Sequence, residues 1–208
     1  LKVKSVDVAG YFFTDEAELM HAAAIPKGVH PDSMDLNRLK KRVEDLDYVD
    51  EVEIQVEPGG DLTIEVIERE PVGLLIQGRN RAYVDRHGVM LPILKDKILD
   101  LPLVYGFSIQ TGDTLQDNEF EQVSDFLQTA KSNPFHWMTI SEVGYSADEG
   151  VVALTYENGV KLIFGRNEFD RKLSNWEAFY SEVIRTKGIS SMQQIDLRFK
   201  NQIVTKEI

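Results

Sequence analysis

The chain has 208 residues, enough for one or two domains, each able to bury a core. Its net charge of −12 argues against nucleic acid and against adhesion to anionic lipid through a basic face. It has no cysteine, which excludes disulfides, thiolate metal sites and a cysteine nucleophile.

At the start, Val3, Val6 and Val8 form a short strand pattern closed by Gly10. Thr14 is placed to cap a helix that carries Asp15 and Glu16 in its first turn and ends before Pro26. After the loop "PKGVHPDS", Ser33 is the expected cap of a second helix, with Leu36, Leu39, Val43 and Leu46 at helical spacing. Val52, Ile54 and Val56 then alternate with polar residues. "PGGD" at 58–61 supplies a turn, and Leu62, Ile64 and Val66 return as the second arm of a hairpin. The first unit is therefore strand, helix, helix, strand, strand, with a tight boundary near Glu70–Pro71.

Beyond it, strands and turns predominate up to about residue 165. "AYVDRHGVML" predicts a strand, a turn at His87–Gly88 and a return. Phe120, Val123, Phe126, Leu127 and Ala130 form a helical stripe that ends before Pro134. "VVALTYENGVKLIFG" predicts a hairpin around Asn158–Gly159, a pair suited to positive φ. A longer helix is expected from about Glu168 to Lys187, burying Phe169, Leu173, Trp176, Tyr180 and Val183, with Gly188 after its end. The closing "IDLRFKNQIVTKEI" is β-like, with Ile195, Leu197 and Phe199 on one face and Asp196, Arg198 and Lys200 on the other. It either continues straight or turns back at Lys200–Asn201 through Ile203 and Thr205. Asp196 and Arg198 are read as a pair across strands.

Motifs for catalysis are absent from the sequence. His21, His30, His87 and His136 stand at no metal-ligand spacing. There is no phosphate-binding glycine loop and no nucleophile elbow. No enzyme, cofactor or metal is expected. What remains is backbone chemistry: a terminal strand can pair with an extended peptide. Alternatively, Lys200 and Lys206 simply protect the edge.

The strand–helix–helix–strand–strand unit resembles a POTRA domain. It is followed in order by "IEREPVG" (67–73), "AYVDRHGVMLP" (82–92), "LPLVYG" (101–106), "ENGVKLIFGR" (157–166) and "IDLRF" (195–199). This series resembles the extracytoplasmic part of the FtsQ/DivIB family of bacterial cell-division proteins. The resemblance implies an α+β architecture: a POTRA domain over 1–69 and a mixed, mainly antiparallel β domain with flanking helices over 70–208. It implies a non-enzymatic divisome scaffold, anchored in the inner membrane by one helix that would precede Leu1, with this portion in the periplasm at the division septum. The implied partners are FtsB/FtsL-like proteins, other divisome components and septal peptidoglycan synthases, with contact by strand addition at the C-terminal edge. Carried over by motif, Arg166 and Phe199 are candidate contacts; Arg198, Lys200, Asn201, Gln202 and Ile203 of the closing segment are candidates beside them. Phe199 replaces a frequent tyrosine, and Gln202 stands where glycine is common, so turn geometry and partner fit are open. The alternative is a POTRA-containing, chaperone-like component of outer-membrane assembly or secretion, which normally carries tandem POTRA units.

Overall fold

A computed structural model describes residues 2–109 and 114–208. The chain divides into two compact units, Leu1–Glu70 and Pro71–Ile208.

The first unit has a three-stranded sheet in the order β1-β3-β2, where β1 is Val6–Ala9, β2 Val49–Val56 and β3 Leu62–Glu68. β1 runs parallel to β3, and β2 is antiparallel to it. The alternation of apolar and charged residues decides which face is buried: Val52, Leu62, Ile64 and Val66 turn inward. They meet Leu19 and Ala23 of α1 (Glu16–Ala23) and Leu39 and Val43 of α2 (Leu36–Glu44). The expected caps are corrected. Asp15, not Thr14, is the N-cap of α1, and Thr14 is buried. Ser33 closes a 3₁₀ turn, while Asp35 caps α2 by accepting from the Arg38 N–H at 3.0 Å. Asp15 holds its cap position without a side-chain capping bond, whereas the Asp35 carboxylate both accepts a free N–H and meets the helix dipole.

The loop entering α1 is held by one side chain. The Glu68 carboxylate accepts the backbone N–H groups of Phe12, Phe13 and Thr14 at 2.7–2.8 Å. Gly10, at φ 84°, allows the chain to pass the Val66 carbonyl, where a Cβ would come within 2.2 Å.

The second unit is built on a nine-stranded mixed sheet, ordered β12-β11-β10-β9-β8-β7-β4-β5-β6. Its strands are β4 (Pro71–Gln77), β5 (Asn80–Asp85), β6 (Met90–Leu91), β7 (Leu103–Tyr105), β8 (Ile140–Ser146), β9 (Gly150–Thr155), β10 (Lys161–Gly165), β11 (Met192–Asp196) and β12 (Val204–Glu207). Five of the eight pairings are antiparallel; β4/β7, β7/β8 and β10/β11 are parallel. Helix α3 (Asn118–Lys131) joins the core through the stripe read in its sequence. A short helix, α4 (Pro134–Thr139), follows where only a break was expected. Pro134 opens it instead of ending structure, because proline fits the first helical turn. Asn158 and Gly159 both take positive φ, 62° and 58°.

The long helix is interrupted. Helix α5 (Phe169–Phe179) passes into a π turn at Tyr180–Ile184 and then α6 (Arg185–Lys187). The wider π turn advances the register by one position. Ile184, not the expected Val183, is therefore the buried residue. Gly188 follows at φ 83°, its N–H donating to the Ile184 carbonyl at 2.7 Å.

Candidate partner-docking edge

The closing segment is a hairpin. β11 pairs with β10 on one side and with β12 on the other, so β12 is the sheet edge. The register sets Asp196 opposite Val204, Ile195 opposite Thr205 and Gln194 opposite Lys206. The Leu197 N–H donates to the Ile163 carbonyl at 2.9 Å, so by alternation Ile195 faces β10, and Gln194 and Asp196 face β12. On β12 the Ile208 N–H donates inward, to the Ser191 carbonyl at 3.0 Å. The same alternation turns the backbone of Val204 and Lys206 inward. It leaves the N–H and C=O groups of Thr205 and Glu207 on the open side. Below this edge Met192, Ile195 and Leu197 are buried, which anchors β11 to the core.

The face assignment read from the sequence holds for Ile195 and Leu197 and fails for two residues. Phe199 is 43% exposed, because the strand ends at Asp196 and the chain bends over residues 199–201. Asp196 is buried, not on a solvent face. Nor do Asp196 and Arg198 pair across strands: they pair with each other along one segment. Arg198 Nε lies 2.9 Å from Asp196 Oδ1, and its Nη2 lies 2.6 Å from Oδ2. The Arg198 N–H also donates to Asp196 Oδ1, at 3.1 Å. Burial pushes the Asp196 carboxyl pKa up, but Arg198's hydrogen bonds and charge outweigh it, and the net shift is down. The same hydrogen bonding raises Arg198.

The hairpin bend meets the start of α5 at the C-terminal ends of the parallel strands β10 and β11. Gly165 ends β10 at φ 77°, where an added Cβ would meet Arg198 Cγ at 3.2 Å and Lys172 Nζ at 3.3 Å. Lys172 is buried, its ammonium donating to the Asn167 carbonyl at 2.5 Å. Burial lowers its pKa, helped by the charges of Arg171 and Arg198. Arg171 in turn bonds Glu168 and holds that carboxyl below its usual range. Arg198 also lies 5.8 Å from the centre of the exposed Phe199 ring. In this group the cations Arg171, Lys172, Arg198 and Lys200 outnumber the carboxylates of Glu168 and Asp196.

Of the candidate residues, Arg198, Phe199 and Lys200 join this cluster. Asn201 and Gln202 are exposed in the bend, and Ile203 packs partly on the core. Arg166 turns the other way: it lies over Tyr145, 5.9 Å from the ring, and donates to the Tyr145 hydroxyl at 3.2 Å and to the Ala147 carbonyl. It braces the β8–β9 turn. Lys172 was overlooked in the sequence, yet it falls on the helix face of Phe169, Leu173 and Trp176. A lysine inside an apolar stripe was the available signal.

Among the described residues no group of three or more His, Asp or Glu side chains could hold a metal ion. No helix among them is long and apolar enough to cross a membrane.

Residues 70–206 match the family model described as FtsQ/DivIB, C-terminal related, and residues 1–69 match the POTRA domain, FtsQ-type. The chain belongs to the FtsQ/DivIB family of cell-division proteins. Among its relatives is the cell division protein FtsQ of Rhodothermus marinus, 29% identical over 215 residues, spanning 100% of this chain and 78% of the relative. That of Geotalea daltonii is 25% identical over 214 residues, spanning 100% of this chain and 76% of the relative. The major extracytoplasmic domain of the trans isomer of DivIB from Geobacillus stearothermophilus aligns with a TM-score of 0.37 and 16% identity, over 57% of this chain and 96% of that one.

Proposed function

We propose that this FtsQ/DivIB chain is a non-enzymatic divisome scaffold that captures an extended segment of an FtsB/FtsL-type partner by strand addition to β12. One observation carries the reading: the outward N–H and C=O groups of Thr205 and Glu207 on a strand whose inner side is anchored to the core through β11. The neighbouring cations of Arg198 and Lys200 favour a partner segment with acidic residues beside the added strand. In this reading 1–69 is the POTRA domain and 70–208 the β domain. The chain stands in the periplasm at the septum, tethered to the inner membrane. It links its partners to septal peptidoglycan synthesis. Tethering raises the effective concentration, so a weak contact in solution suffices in the cell.

The test is a calorimetric titration with the periplasmic part of its own FtsB–FtsL pair, using wild type beside a folded Thr205→Pro variant. Binding lost in the variant supports the edge. Binding that survives places the contact elsewhere and leaves Lys200 and Lys206 as edge protection.

A further inference from the structure

The opposite end of the same strands has a different chemistry. β10 runs from Lys161 to Gly165, so Arg166 follows its last residue, while Thr155, Tyr156 and Glu157 lie at the turn before its first. At that turn a groove of about 240 Å³ opens between α4, the end of β9 and the π turn. This is below the roughly 300 Å³ at which small-molecule sites begin, and it suits one inserted side chain.

The lining selects an apolar one. Trp176 forms part of it, and its Nε1–H is already given to Thr139 Oγ1 at 3.0 Å. Thr155 Oγ1 donates to the Glu157 carbonyl at 2.6 Å and accepts the Val160 N–H at 2.8 Å. A polar group entering beside these atoms would lose its water bonds to partners already matched. Tyr180 stacks edge-on against Phe135 and Trp176, with centroids 5.2 and 5.5 Å away. Tyr180 is also the first residue of the π turn, an irregularity often found at functional sites.

On the rim, Met138 and Tyr156 are 74% and 79% exposed. Both also line a second, more mixed groove of about 360 Å³, together with Pro102, Trp137, Ile140 and Ser141, so the two grooves share these two rim residues. Among the described residues, the charged side chains lining the pair are Asp100 and Glu157, with no lysine or arginine in either lining. An aromatic or aliphatic anchor beside acidic groups calls for a cationic segment.

We infer that this end of the sheet is a second docking surface, which receives an apolar or aromatic side chain flanked by lysine or arginine in a partner polypeptide. It is separate from the β12 edge and stands independently of it.

The probe is acetyl-Lys-Phe-Lys-amide, titrated into the chain carrying ¹³C-methyl methionine, with acetyl-Glu-Phe-Glu-amide as the control. The Met138 methyl should shift saturably with the basic peptide and several-fold less with the acidic one. Tyr156→Ser should abolish the shift, while the buried Met192 methyl shows that the variant is folded. Arg198→Ala should leave the response unchanged. Equal responses to both peptides, no response at millimolar peptide, or a shift that survives Tyr156→Ser overturns the inference.

Discussion

The Arg198 guanidinium holds the carboxylate of Asp196, two residues earlier, through Nε at 2.9 Å and Nη2 at 2.6 Å. This short-range pair closes the end of β11 and sets the path of the chain into the bend that precedes the edge strand. The Asp196 side chain is 7% exposed, so its charge depends on that partner.

Replacing Arg198 by alanine leaves a buried carboxylate short of partners. We expect a loss of about 1–3 kcal/mol, discounted from a fully buried pair because Arg198 is partly solvated. The sign with pH follows from the depressed Asp196 pKa. Its contribution is complete above the unfolded value of about 3.9 and is lost as pH falls from there through the folded one. Urea midpoints should therefore differ constantly between about pH 5 and pH 8, and the gap should narrow below about pH 4.

Two proline variants separate the edge from the ladder. Thr205→Pro removes an outward N–H and should cost less than about 1 kcal/mol, since edge strands tolerate proline. Lys206→Pro removes an inward one and should cost more, about 1–3 kcal/mol, because a ladder carbonyl is left without its donor. Thermal unfolding beside the partner titration distinguishes them: only the first should lose binding while keeping its melting temperature.

His136 is buried, with Nε2 3.0 Å from Glu177 Oε2. Burial lowers its pKa and outweighs the carboxylate, which raises it. The fold therefore prefers the neutral ring. Its stability contribution is full above the unfolded value of about 6.5 and falls as pH drops through that value toward the folded one. His136→Gln should flatten this acid-side decline in denaturation midpoints. An unchanged slope would assign the decline to other groups.

In the first unit, Glu68→Ala removes the acceptor of three backbone N–H groups. The expected cost is about 1–3 kcal/mol. Amide exchange should accelerate at Phe12, Phe13 and Thr14, with no change at β10 or β11.

Local pattern determined much of this protein. The alternation in Val52–Val56 and Leu62–Val66, the stripe from Phe120 to Ala130 and the positive-φ pair Asn158–Gly159 are nearest-neighbour signals, and their elements form as read. The ordered motifs from "IEREPVG" to "IDLRF" likewise carried the family. Tertiary structure decided what the period could not. The strand at Ile195 stops at Asp196, which exposes Phe199, because Arg198 captures Asp196 and the chain turns back as β12. Val183 yields its place to Ile184 because a π turn adds to the helical register, and Ile184 rather than Val183 joins the buried core. Thr205 and Glu207 face outward only because β11 takes the other side of β12. Spacing sets which side chains share a face, but the neighbour on each side decides which backbone groups stay open.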